Sequence, residues 1–139
     1  MPRYRKNNKK LDRNLQISGC PFCEPYLSER IVVDQTKLCL VTKNEFPYDL
    51  WENQKVADHL ILVPKRHIAC SSKLSGEEKN EFYNLMIKYE KKGYNSYTRC
   101  DKSLTKSVPL HHHTHLIETI GKRAWLVLSL KKPHYLLKI

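Results

Sequence analysis

Three histidines spaced two apart, His111, His113 and His115, lie within residues 110–117, LHHHTHLI. In an extended strand alternate side chains share a face, so these three imidazoles line one side while His112 and Thr114 take the other. Such a row offers metal ligands, general bases and nucleophiles side by side. The segment is internal and has apolar residues around it (Val108, Leu110, Leu116, Ile117), unlike a solvated polyhistidine stretch. A second pair, His59 and His67, brackets HLILVPKRH, one histidine at each end of a short apolar run. Cys20 and Cys23 form a CxxC, a spacing that serves metal binding or thiol redox chemistry in a reducing compartment. Cys39, Cys70 and Cys100 are isolated and read as ordinary thiols, and an odd total of five argues against a complete disulfide framework.

These groups need a scaffold that brings distant segments together. Residues 30–34 and 37–42 are rich in β-branched and apolar side chains and flank a polar turn at Gln35, the pattern of a hairpin. LILV at 60–63 is fully apolar and stops at Pro64, which fits a buried strand. Ser75 and Glu78 form an S-x-x-E capping box, and Phe82, Leu85, Met86 and Tyr89 then recur at helical spacing. Gly93 after Lys88, Lys91 and Lys92 marks the end of that helix. Residues 94–99, 110–117 and 124–130 read as further strands. Together they predict an α+β fold, an antiparallel sheet of about five strands with one main helix.

At 139 residues the chain is one domain by length, with residues 1–16 read as a basic flexible arm and 17–139 as the folded unit. A composition of 40% hydrophobic and 28% charged residues is that of a globular protein rather than a disordered or fibrous one. No apolar run approaches the roughly 18–20 residues of a membrane span. Residues 1–14 are basic but lack the apolar core of a secretory leader, so the expectation is a soluble protein of the cytoplasm, with the nucleus left open. The excess of 25 Lys+Arg over 14 Asp+Glu, a net charge of +11, favours anionic partners, nucleotides or nucleic acid.

DHLILVPKRHI at 58–68 followed by HHHTHLI at 111–117 resembles the histidine-triad (HIT) family. The family signature is HxHxHxx, apolar at most x positions and preceded by H-x-L-V-x-P-x-x-H. Cys20-Pro21-Phe22-Cys23 resembles the N-terminal CxxC of its zinc-bearing members. The resemblance spans residues 20–117 and implies a HIT-like fold with a structural zinc held by Cys20, Cys23, His67 and His111. A redox pair or a reduced metal-free turn are the alternatives for the CxxC.

The resemblance also assigns chemistry. It implies His113 as the nucleophile toward the α-phosphorus of a nucleotide, forming a nucleotidyl-imidazole, with His115 and His59 neutralising charge on the phosphoryl oxygens. Histidine at 115 implies the hydrolase side of the family, since the hexose-1-phosphate uridylyltransferase branch usually carries glutamine there. Asn44 matches the ribose position, Ser107 the phosphate contact, and Phe46 and Leu62 stand where a base pocket would lie, with core packing the stronger reading for Leu62. The implied function is hydrolysis or nucleotidyl transfer on a nucleoside phosphoramidate, a dinucleoside polyphosphate or a similar conjugate, in a two-fold dimer. The net charge and the arm keep open removal of adenylate from nucleic-acid ends, and a zinc-stabilised nucleotide-binding module with little turnover is the reading from another class. Two departures stand out. His112 replaces an aliphatic residue and makes its face more polar. The stretch 98–108 lacks the usual glycines, and Ser107 sits one residue farther from His111 than the family spacing.

Overall fold

The computed structural model describes residues 19–104, 108 and 110–123. The arm at 1–16, Ser107 and the strand expected at 124–130 lie outside the described residues. Among the described residues, a six-stranded antiparallel sheet and one α-helix make the fold. The elements are β1 (Val32–Gln35), β2 (Cys39–Lys43), β3 (Leu50–Trp51), β4 (Gln54–Pro64), α1 (Gly76–Glu90), β5 (Asn95–Thr98) and β6 (Thr114–Arg123). The sheet order is β1-β2-β4-β6-β5, with the short β3 also paired to β4.

The hairpin expected near residues 30–42 is β1–β2, and the strand expected at 60–63 is the buried half of a longer β4. The first half of β4 alternates exposed and half-buried residues that carry Lys55 and Asp58, so no continuous apolar run announces it. β3 was not expected either. Glu52 and Asn53 both adopt positive φ, 49° and 63°, and join Leu50–Trp51 to Gln54 as a two-residue turn. Such turns favour left-handed conformers at both central positions, and Glu-Asn is a weak signal beside Asn-Gly.

Helix α1 begins where the sequence places it. Ser75 accepts from the Glu78 N–H (3.2 Å), and the Glu78 carboxylate accepts from the Ser75 N–H (2.7 Å), so both halves of the capping box form. At the far end the Tyr94 N–H reaches back to the Tyr89 carbonyl (3.1 Å) and the Gly93 N–H to the Glu90 carbonyl (2.9 Å). This reversal needs φ of +96° at Gly93, a conformation that costs glycine little. Phe82, Leu85 and Tyr89 pack on Cys39, Val41, Leu60, Leu62 and Leu116. Leu62 thus belongs to the core beneath the helix, as core packing predicted, and not to a base pocket.

Alternation then places Leu40, His59, Ile61 and Val63 on the opposite face of the sheet. Register extends that face in rows, because Thr42 pairs with Ile61, Ile61 with His115, and His115 with Tyr97. The expected strand at 110–117 begins only at Thr114. The residues opposite would be Val63 and Pro64, and proline has no N–H to offer a ladder. The His112 N–H instead bonds the Ile68 carbonyl at 2.6 Å. His112 is 4% exposed and lies 5.3 Å from the Phe82 ring, so the face expected to be polar and outward is in fact packed beneath α1. No helix among the described residues is long and apolar enough to cross a membrane.

Glu78 also anchors the loop after β4. Its carboxylate takes two bonds from Arg66, Nε at 2.8 Å and Nη2 at 2.7 Å, and Arg66 Nη2 bonds the Lys73 carbonyl at 2.9 Å. The bonds from Arg66 and from the Ser75 N–H hold the Glu78 carboxyl down at about 2, against an ordinary 4.5. A carboxyl depressed in the folded state stabilises it above its ordinary pKa and loses that contribution as pH falls toward the folded value. Glu78→Gln is therefore expected to lower stability at neutral pH by about 1–3 kcal/mol. Urea unfolding followed against pH should show the wild type losing this advantage between about 4.5 and 2, and the variant lacking that part of the acid limb.

Candidate metal centre and catalytic face

The metal cluster starts from a tight turn. Pro21 restricts φ at the second position of Cys20-Pro21-Phe22-Cys23, and the Cys23 N–H closes on the Cys20 carbonyl at 3.1 Å. The Phe22 N–H points at Cys20 Sγ from 3.5 Å. Both thiols therefore face one way, toward the end of β4 and the entry to β6. Cys20 Sγ lies 3.3 Å from His111 Nδ1, and Cys23 Sγ lies 3.3 Å from His67 Nδ1 and 3.6 Å from His111 Nδ1. All four donor atoms fall within 4.8 Å of one another, close enough to hold one metal ion.

The surroundings prepare those donors. His111 Nε2 is 2.8 Å from the Pro64 carbonyl, which can only accept, so the ring proton sits on Nε2 and the Nδ1 lone pair faces the cluster. His67 is itself exposed, but the chain on both sides is fixed: Arg66 by Glu78, and Ile68 by the His112 N–H. Burial, then the hydrogen bond and charge of Cys20, push the Cys23 thiol up to about 11. The Cys23 thiol thus stays protonated until a cation compensates it, and a bound dication reverses that balance outright.

His59, His113 and His115 form the candidate catalytic face. His113 is 3% exposed, and its Nδ1 lies 2.8 Å from the His111 carbonyl. This bond puts the ring proton on Nδ1 and the lone pair on Nε2. His59 accepts at Nδ1 from the Tyr48 N–H (3.0 Å), so its proton sits on Nε2 and is given to His115 Nδ1 at 2.9 Å. His115 in turn carries its proton on Nε2. The backbone of Tyr48 thus sets, through two rings, which nitrogen of His115 donates. Rings of His113 and His115 stand 5.3 Å apart at 77°.

Asn44 lies beside this pair. Its Oδ1 accepts from the Phe46 N–H (3.0 Å), which turns Nδ2 to the His59 ring, 3.3 Å from Nδ1 and 3.0 Å from Nε2. The structure thus brings Cys20, Cys23, His67 and His111 into one cluster and His59, His113, His115 and Asn44 into another. Spacing did not reveal Tyr48, which stacks on His59 at 4.7 Å and on Trp51 at 5.6 Å. Nor did it single out Phe22 and Arg30. The Phe22 ring lies 5.6 Å from His111 and 5.4 Å from His113, and the Arg30 guanidinium covers it at 4.6 Å. The aromatic residue inside the CxxC was a signal for Phe22; nothing local marks Arg30.

No protein-family model matches the chain, and no curated protein does. Solved structures do match in shape. A HIT family hydrolase from Legionella pneumophila Philadelphia 1 is 23% identical, with 77% of this chain and 97% of that one covered at a TM-score of 0.52. A hypothetical protein from Leishmania major is 22% identical, covering 88% and 85% with a TM-score of 0.59. A histidine triad nucleotide-binding protein from Candida albicans is 16% identical, covering 86% and 87% with a TM-score of 0.57. The chain has the histidine-triad fold, and its own histidines at 111, 113 and 115 occupy the end of the central strand pair.

Metal analysis checks the cluster directly. The purified protein is expected to hold about one divalent ion per chain, and Cys23→Ser is expected to weaken chelator-resisted binding by at least about tenfold to a hundredfold.

Proposed function

We propose that this protein of histidine-triad fold is a zinc-bearing nucleotide hydrolase or nucleotidyl transferase whose nucleophile is Nε2 of His113. The observation that carries the reading is the bond from His113 Nδ1 to the His111 carbonyl, which leaves the lone pair on Nε2 of a ring 5.3 Å from that of His115. A neutral imidazole so held is a nucleophile for phosphorus, and covalent catalysis divides one difficult displacement into two.

The steps follow from the tautomers. Nε2 of His113 attacks the α-phosphorus of a nucleoside phosphoramidate, dinucleoside polyphosphate or similar conjugate, and the bond to the leaving group breaks as the N–P bond forms. Phosphorylated at Nε2 and protonated at Nδ1, the ring becomes cationic, and the His111 carbonyl accepts from that more acidic proton. His115 donates from Nε2 to a phosphoryl oxygen, backed by His59. Water, or another acceptor hydroxyl, then attacks the same phosphorus and gives up its proton to the departed leaving group or to solvent, the N–P bond breaks, and neutral imidazole leaves with its lone pair. Asn44, beside His59, is the residue we assign to the ribose, and Ser107 to a phosphate oxygen.

Zinc fits the metal cluster. Two thiolates and two imidazoles suit a tetrahedral structural site, in which Zn–S of about 2.3 Å and Zn–N of about 2.0 Å put sulfur and nitrogen roughly 3.5 Å apart. The sulfur–nitrogen separations between ligands here are 3.3, 3.3 and 3.6 Å. All four donors belong to the protein, so the ion stabilises the turn and the strand ends and leaves phosphorus chemistry to the neighbouring face.

Incubation with a panel of nucleotidyl substrates tests the reading. His113→Ala is expected to lose turnover by at least about a thousandfold while keeping its metal and its fold. Turnover that survives in His113→Ala would show that another group attacks.

A further inference from the structure

We propose that Phe22 is a positioning residue: the phenyl ring carried between the two metal thiols holds the His113 imidazole in its attacking orientation, so that metal binding is felt at the nucleophile. The inference rests on the metal and nucleophile assignments made above.

Two of the contacts that hold His113 lead back to the candidate metal cluster, and the His115 ring stands 5.3 Å away as a further neighbour. One is the bond from Nδ1 to the carbonyl of His111, which itself belongs to the cluster. The other is the Phe22 ring, 5.4 Å away and inclined at 46°. Phe22 stands between Cys20 and Cys23, and its own N–H points at Cys20 Sγ from 3.5 Å, so fixing the two sulfurs fixes the backbone that carries the ring. Phe22 is 4% exposed and rests on Leu40, Ile61, Val63 and Val108, which form the floor of the catalytic face.

Arg30 closes the stack from outside. Its guanidinium lies 4.6 Å from the Phe22 centroid, and its Nε donates to the Pro21 carbonyl at 2.6 Å. Its side chain is only 5% exposed, and Glu45 meets it at 3.4 Å. One cation thus grips both the backbone of the turn and the face of the ring. The ring thus contacts a fixed guanidinium and two imidazoles, one the candidate ligand and one the candidate nucleophile. When the cluster binds its ion, the turn loses freedom and the ring tightens on His113. A reacting nitrogen displaced by about 1 Å can cost about a hundredfold in rate, so loss of this ring reaches the chemistry without touching substrate.

The test reads the Nδ1 proton of His113 by nitrogen-edited NMR in protein labelled at histidine. In metal-loaded wild type this proton is expected to exchange slowly with water. Metal-loaded Phe22→Ala is expected to bind its ion in wild-type stoichiometry and yet to exchange this proton at least about tenfold faster. Chelated but folded wild type should match Phe22→Ala, and Phe22→Tyr, which keeps the ring, should match loaded wild type. Single-turnover formation of the histidine adduct should fall about tenfold to a hundredfold in Phe22→Ala with KM little changed. Slow exchange in loaded Phe22→Ala, or in chelated wild type, overturns the proposal, and so does a wild type that binds no metal. Phe22→Leu, which keeps most of the core volume, carries the same test if the alanine variant does not fold. The exchange readout uses no nucleotide, so a wild type that forms no adduct defeats the nucleotidyl reading while the coupling is still decided.

Discussion

The bond between His113 Nδ1 and the carbonyl of His111 joins the two halves of this structure. It comes from a stretch of chain that is leaving irregular backbone and about to enter β6, where the His111 carbonyl takes a side-chain donor. The same few residues supply a candidate metal ligand, the candidate nucleophile and the histidine proposed to stabilise charge. Everything else serves to hold that stretch still. Pro64 ends β4, leaves its carbonyl to His111 Nε2, and so aims the opposite ring nitrogen at the cysteines. Ile68 receives the His112 N–H, and Phe82 of α1 packs on the His112 ring.

This arrangement explains why the candidate catalytic imidazoles are buried. His59, His113 and His115 are 2%, 3% and 5% exposed. Burying neutral polar groups is tolerable only when each nitrogen has a defined role, and here the roles form a directional chain from the Tyr48 N–H through His59 to His115. Tyr48 stacks on His59 and Tyr97 borders His115, so flat rings confine the imidazoles sideways while hydrogen bonds fix their tautomers. The two faces of the sheet divide the work: Leu60, Leu62 and Leu116 seal the helix side, and the other face holds His59 and His115.

Much of this was legible in the residues themselves, for local reasons. The capping box at Ser75 and Glu78, the stripe Phe82–Leu85–Tyr89 and the hairpin before Lys43 depend on near neighbours in the chain, and all three form. The grouping of Cys20, Cys23, His67 and His111 was reached through resemblance, and the fold brings the four together. What escaped depends on distance along the chain or on weak turn chemistry. β6 starts at Thr114 rather than four residues earlier because Pro64, on another strand, cannot sustain the ladder. β3 exists because Glu52 and Asn53 accept left-handed backbone, which their identities hardly advertise. His112, which makes its face more polar than the family pattern, is covered by a helix whose packing partner no periodicity names. Arg30 gains its place from a carbonyl nine residues away and a ring that folding brings beneath it.

Tautomer geometry, set by a backbone carbonyl, is proposed to make Nε2 of His113 the attacking atom. Phosphorus–nitrogen correlation NMR on the protein trapped with a slowly released nucleotidyl group tests this most directly. The expected result is one phosphoramidate, bonded to Nε2 of His113, with the proton still on Nδ1. A phosphorus bonded to Nδ1, or to any other residue, would contradict it.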